Sequence, residues 1–178
     1  MQDWTIRPAT PDDIPAITAN YRREVETGVA TFELVPPDAA EMADRMQRIV
    51  DGGFPYLVAE RDGAFLGSAY AGPYRTRPAY AWTVEDSIYL APEAQGLGLG
   101  RALLAAIIEE SASRGFRQMV AVITGAEPPV SVRLHAALGF VDVGTLRSVG
   151  YKFGRWLDTV TMARPLGPGD ATPPTPRP

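Results

Sequence analysis

Apolar residues recur at three- and four-residue spacing in some stretches of the chain and at alternate positions in others. These two patterns separate helices from strands. Leu103, Leu104, Ile107 and Ile108 share one face while Glu109 and Glu110 face away, which predicts a helix from Arg101 to a stop at Gly115. An earlier helix is predicted through about Glu24: Thr10 offers an N-cap, Pro11 the first helical position, and Asp12 and Asp13 charge that suits a helix start. A second runs from about Asp38 to Val50 and ends at Gly52-Gly53, and a short one lies in "PVSVRLHAALGF", ending at Gly139. Strands are predicted at "WTIRPA", in a hairpin "YLVAERDGAFLGSAYAGPY" turning at Asp62-Gly63, at 82–90, at "FRQMVAVIT" and at "DTVTMARPL". Gly96, Gly98 and Gly100 lie between strand 82–90 and the helix that follows. Strand, glycine-rich turn and helix in that order gather free N–H groups at the positive end of a helix dipole, which suits a phosphate or pyrophosphate.

Length and composition narrow the possibilities. The chain's 178 residues suffice for one sizeable core, read as a domain over 1–166. The last 14 residues, "PLGPGDATPPTPRP", hold six prolines and few large apolar groups, so a disordered tail is expected over 167–178. A net charge of −4 argues against a nucleic-acid partner. The sequence has no cysteine, which removes thiolate catalysis and cysteine-held metals and fits a cytoplasmic setting. Its single histidine, His135, rules out multi-histidine metal sites, so no metal is expected. Neither a signal peptide nor an apolar run of about 20 residues is evident, so no membrane association is expected.

Three phosphate-binding turns compete for the glycines, beside a glycine-rich connector that holds no ligand. A Walker-type loop needs Gly-Lys followed by Ser or Thr, but Gly100 is followed by Arg101-Ala102. A dinucleotide fingerprint needs two residues between its second and third glycines, and Gly98 and Gly100 have one. The Gln-x-x-Gly-x-Gly turn that grips the pyrophosphate of coenzyme A is matched at every position by Gln95, Gly96, Leu97, Gly98, Leu99 and Gly100.

With "VETGVATFE", "YLVAERDG", "AYAGPYRTRPAYAWTVEDSIYL", "QGLGLG", "VAVITG", "SVRLHAALGF" and "GYKFGRWLD", the chain from residue 4 to 164 resembles the GNAT N-acetyltransferases. More narrowly, it is similar to the phosphinothricin acetyltransferases and their relatives that acetylate methionine sulfone and sulfoximine. The resemblance implies a mixed α/β (α+β) fold: a central, mostly antiparallel sheet, splayed in its middle and flanked by about four helices. It also implies acetyl-CoA as co-substrate, with its pyrophosphate on the backbone of 96–101, Arg101 included, and its pantetheine arm along the backbone of Ile88, Tyr89 and Leu90. A backbone N–H there can stabilise a developing oxyanion. Close relatives carry an asparagine where this chain has Pro128, so that contact is lost or replaced, with Ser131 a candidate.

The attacking amine must lose a proton, and Glu85 matches the family's catalytic glutamate; the other reading is a solvated strand carboxylate. Its neighbour Asp86 should face the opposite side of the strand. His135 stands where many relatives place a tyrosine that protonates the leaving thiolate. Imidazole chemistry permits that role, and a partly exposed helix histidine bonded to backbone is the alternative. Arg75 and Arg77, with Thr76, Tyr74, Tyr80 and Trp82, form a loop whose guanidinium groups suit the acidic group of an amino-acid-like acceptor; ordinary surface charge is the other reading. Phe32, Glu33, Lys152 and Phe153 are expected to close its sides. The expected activity is acetyl transfer to the amine of a small amino-acid-like compound by direct attack in a ternary complex. The alternatives are acetylation of peptide N-termini and a catalytically silent acetyl-CoA-binding module. A homodimer is expected from the relatives.

Overall fold

Thr10 and Asp13 start the first helix as the sequence predicts. Asp13 accepts from the Thr10 backbone N–H at 2.8 Å and closes a 3-10 turn over Pro11–Asp13 that leads into α1 (Ile14–Thr27). Asp38 caps α2 (Ala39–Asp51) by accepting from the Glu41 N–H at 2.9 Å. The computed structural model describes residues 3–124 and 130–175. The other elements are β1 (Thr5–Pro8), β2 (Tyr56–Arg61), β3 (Ala64–Pro73), β4 (Thr83–Leu90), α3 (Leu99–Ser113), β5 (Gln118–Thr124), α4 (Val130–Ala136), β6 (Val141–Lys152) and β7 (Arg155–Pro165).

The strands form one sheet in the order β1-β2-β3-β4-β5-β7-β6, in which only the β4–β5 pair is parallel. Alternation along each strand divides the core between two faces. Leu57 and Ala59 of β2 pack with Val84, Met119 and the buried stripe Leu99, Leu103, Leu104 and Ile107 of α3. Tyr56 and Val58 pack on the other face with Ile17, Tyr21 and Val25 of α1 and Met42 and Met46 of α2. No helix among the described residues is long and apolar enough to cross a membrane.

Two expectations need correction. The sequence pattern assigned no element to 141–157, yet a long hairpin stands there, with β6 on the sheet edge. Its pairing with β7 shifts register between Asp142 and Gly144 and again between Leu146 and Gly150, which breaks the period of two that marks a strand. The proline-rich tail is not loose through Thr175. Leu166 is buried, Gly167 and Gly169 turn the chain at positive φ, and the exposed carbonyls become acceptors. Arg117 donates to the carbonyls of Gly169 and Pro173, each at 3.0 Å, and Trp82 Nε1 donates to that of Thr175 at 2.9 Å. Proline lacks a donor but keeps its carbonyl, so this segment is ordered by side chains elsewhere in the fold.

Candidate active site

The site begins where β4 and β5 part. Their parallel pairing covers Thr83↔Gln118, Val84↔Met119 and Glu85↔Val120 and then stops. β4 stays paired with β3 as far as Leu90, and β5 stays paired with β7 as far as Thr124. The sheet therefore forks after Glu85, and among the described residues the facing edges of the two strands have no strand partner in the gap. One group there is already engaged: the Leu90 carbonyl accepts from Arg23 of α1 at 3.0 Å. That takes one of the expected acceptors on 88–90 and brings in a residue the sequence did not single out.

Past the fork the chain enters the glycine turn. Gly96 (φ 76°) and Gly98 (φ 84°) adopt the left-handed conformation, and Gly98 is the N-cap of α3 with no side chain to satisfy the first turn. A Cβ on either would meet nothing within 4 Å, so backbone conformation, not crowding within the protein, calls for glycine there. Gly100 faces inward, where a Cβ would lie 3.4 Å from Leu90 and 3.6 Å from Leu134. Gln95, Leu97 and Arg101 are exposed around the turn, whereas the Leu99 side chain is core. Open N–H groups, a helix start and positive-φ glycines make a cradle that fits a pyrophosphate.

Glu85 and Asp86 point to opposite faces, as alternation predicts. Glu85 lies half-buried on the α1/α2 face, opposite Gly72 of β3. Burial raises its pKa above the usual 4.5, the Asp86 charge adds to the rise, and Arg75 works against it. Asp86 is buried on the other face and accepts from His135 Nε2 at 3.0 Å. His135 Nδ1 donates to the Ser131 carbonyl at 2.7 Å, with Ser131 Oγ at 3.4 Å. Buried, with both ring nitrogens engaged, His135 offers no free nitrogen to a leaving thiolate. Direct donation is thus not what this geometry provides; the backbone bond of the alternative is present, but the ring is buried and not partly exposed, and it is also bonded to Asp86. Pro128 lies outside the described residues.

The 74–82 loop resolves into unequal parts. Arg75 lies over the rings of Tyr74 and Tyr80, at 5.1 and 5.9 Å, and acts electrostatically on Glu85. Thr76 and Arg77 are exposed, and no ion pair ties Arg77 to another described residue. Phe32 lies over Gly150 of β6, where a Cβ would run into its ring. Lys152 is buried and donates to the Thr31 carbonyl at 2.8 Å, and burial lowers its pKa. Glu33 accepts from Tyr21 Oη at 2.9 Å and from Arg45 at 2.7 Å. The segment 31–33 is thereby tied to β6, α1 and α2. Sequence reasoning had placed Phe32, Glu33, Lys152 and Phe153 around the acceptor but not Tyr21 or Arg45, whose roles depend on contacts between separate helices.

A splayed mixed sheet with a phosphate-type cradle at the fork and a carboxylate beside it defines a coenzyme A-dependent acyltransferase. The acetyltransferase (GNAT) family model matches residues 21–140, and the chain belongs to that family. It is 54% identical to phosphinothricin N-acetyltransferase of Alcaligenes faecalis, over 96% of this chain and 86% of that protein. Identity to L-methionine sulfoximine/L-methionine sulfone acetyltransferase of Pseudomonas aeruginosa is 37%, over 95% and 98% of the two chains. Among solved structures, a GNAT superfamily phosphinothricin acetyltransferase from Sinorhizobium meliloti in complex with AcCoA superposes with a TM-score of 0.94 at 51% identity, over 98% of this chain and 94% of that one.

Proposed function

We propose that the protein transfers acetyl from acetyl-CoA to the amine of a small amino-acid-like acceptor of the phosphinothricin or methionine sulfone type, by direct attack. The observation that carries this reading is Glu85, half-buried with a raised pKa on the open face of the sheet where β4 leaves β5. When bound, acetyl-CoA supplies an activated acyl carbon and a thiolate leaving group. The backbone of 96–101 holds its pyrophosphate, and the open edge of β4 at Ile88 holds its pantetheine arm, whereas the Tyr89 backbone faces β3, opposite Ser68, and is not available. Glu85 takes the proton of the acceptor amine, directly or through a water; a raised pKa favours a base that works near neutrality. Arg75 pairs with the acceptor's acidic group, and Phe32 and Tyr80 flank it. His135 and Asp86 keep α4 against β4. A thermal-shift titration with acetyl-CoA, then thiol release over a panel of amino-acid acceptors, tests the reading. Stabilisation by acetyl-CoA without turnover of any acceptor would leave only a binding module.

We also infer a homodimer built on β6, and the cysteine-free sequence supports a cytoplasmic setting. β6 is an edge strand, and Val141, Val143, Leu146, Val149 and Tyr151 on it are all exposed. An unpaired edge with that much apolar surface is self-complementary about a two-fold axis. Light scattering on Val143→Glu, expected to be monomeric, tests it against a dimeric wild type.

A further inference from the structure

The 74–82 loop has no fully buried side chain of its own. Tyr74 and Trp82 at its two ends are half-buried, and every residue from Arg75 to Ala81 is exposed. Its internal order comes from a 3-10 turn over Pro78–Tyr80 and from Tyr80 set edge-on to Tyr74 at 5.7 Å, with Arg75 over both rings. These contacts stay within the loop. A segment with so little buried takes its position from its root. We propose that Trp82 is the positioning residue of this loop, and that the proline-rich tail is a strap on its indole that holds Arg75 where the acceptor's acidic group arrives. The inference rests on the acetyl-transfer reading above.

Trp82 directly precedes β4 and stands three residues before Glu85. It is held from two sides. Its carbonyl accepts from the backbone N–H groups of Arg117 and Gln118, at 2.8 and 3.2 Å, which fixes its main chain to the start of β5. Its indole Nε1 donates to the Thr175 carbonyl at 2.9 Å, which fixes its side chain to the tail. The loop's own closure is weaker, with the Tyr74 N–H reaching the Thr83 carbonyl at 3.4 Å. Tyr80 lies two residues before Trp82, so a rotation of Trp82 carries with it one of the rings under Arg75.

The strap is anchored along its length. Leu166 is buried and its N–H donates to the Arg117 carbonyl at 3.0 Å, so the tail starts beside the loop's root. The Arg117 guanidinium donates to the Gly169 and Pro173 carbonyls, each at 3.0 Å, and to Thr172 Oγ1 at 3.3 Å. Pro173 and Pro174 then lead to Thr175. Their fixed φ leaves the chain less freedom to lose on docking, and they bring no N–H groups that need acceptors. A proline-rich segment can therefore be ordered by few hydrogen bonds, here those of one guanidinium and one indole.

The test uses Trp82→Phe, which keeps an aromatic ring and removes the N–H, and a chain ending at Ala171, which keeps Leu166 and the Gly169 contact. Each is checked by thermal melting, and thiol release is measured with phosphinothricin and with methionine sulfone. In both variants the acceptor KM should rise about two- to tenfold, the range for one lost hydrogen bond, with kcat and the acetyl-CoA KM little changed. Trp82→Phe in the shortened chain should add nothing, because its partner is already gone. In an Arg75→Ala background the effect of Trp82→Phe should disappear, since the strap acts through Arg75. An acceptor KM that stays at the wild-type value in either variant overturns the inference while the acetyl-transfer reading stands. So does an equal rise in the acetyl-CoA KM, or an effect that persists in Arg75→Ala. If the wild type acetylates neither acceptor, the acetyl-transfer reading falls, and hydrogen exchange decides the strap. Faster exchange at Tyr74, Tyr80 and Ala81 in both variants supports it, and unchanged exchange overturns it.

Discussion

His135 and Asp86 meet between α4 and β4 with Nε2 3.0 Å from Oδ2 and both side chains almost wholly buried. The Ser131 carbonyl, 2.7 Å from Nδ1, can only accept, so Nδ1 carries a proton and a further proton is held between Nε2 and Asp86. Burial opposes charge on the ring, but the hydrogen bond and charge of Asp86, with the Ser131 carbonyl, raise the His135 pKa above 6.5. A raised folded-state pKa adds stability that is complete below the unfolded value of about 6.5 and is lost as pH climbs through the folded value. His135→Gln should therefore cost most near pH 6, and its deficit should narrow on the alkaline side. Removing one member of a buried pair typically costs about 3–5 kcal/mol. Urea unfolding of both proteins across pH checks this; an equal deficit at all pH values would mean that the pair carries no titrating charge.

Gly98→Val is expected to fold and to lose acetyl-CoA binding. Nothing in the protein lies within 4 Å of the new Cβ, so the fold tolerates it sterically. The φ of 84° does not suit a β-branched residue, and the strain of about 1–3 kcal/mol turns the N–H groups out of the cradle. Calorimetry with acetyl-CoA reads the effect, and Gly98→Asn, which accepts this conformation more readily, should retain more affinity than valine.

Arg75 and Arg77 should separate. Both are exposed, but Arg75 is held over two tyrosine rings and acts on Glu85, whereas Arg77 has no such tie among the described residues. Arg75→Ala is expected to raise the acceptor KM by about tenfold or more, the loss of one charge-assisted pair. Arg77→Ala should change it much less, and neither should alter acetyl-CoA affinity. Equal losses in both variants would restore the loop-wide reading suggested by sequence.

Local signals made much of this legible. The glycine turn, the cap at Thr10 and the opposite faces of Glu85 and Asp86 all follow from spacing over a few residues. What escaped depends on distant partners or broken periodicity. The tail is ordered by Arg117 and Trp82, which lie 52 or more residues from the carbonyls they hold. β6 escaped because bulges interrupt its alternation and solvent lies on most of its positions.

Truncation after Leu166 should loosen the closed end of the fork. Arg117 N–H and Gln118 N–H both donate to the Trp82 carbonyl, at 2.8 and 3.2 Å, so β4 and β5 meet where the tail crosses them. The tail holds both residues at once, Arg117 through its guanidinium and Trp82 through its indole N–H. Without it these donors turn to water and the backbone pairing remains, so local opening is expected and not global unfolding. Hydrogen exchange should rise at 83–85 and 118–120 more than in β2.

Glu85→Gln isolates the proton-transfer role because it keeps shape and hydrogen bonding but removes basicity. The expected fall in kcat is about 10²–10⁴-fold, with acetyl-CoA affinity little changed. The wild type adds an independent signature. Glu85 must be ionised to act, and burial together with the Asp86 charge raises its pKa above 4.5 despite Arg75. Activity should thus fall on the acid side at a pH higher than an ordinary carboxylate would give, as protonation removes the base. Arg75→Ala takes away the one influence that lowers this pKa, so the acid limb should move further up. In Glu85→Gln that limb should vanish and the residual rate should climb with pH as more of the acceptor amine loses its proton to solvent. An acid limb that persists unmoved in Glu85→Gln would assign it to another group and remove Glu85 from the chemical step.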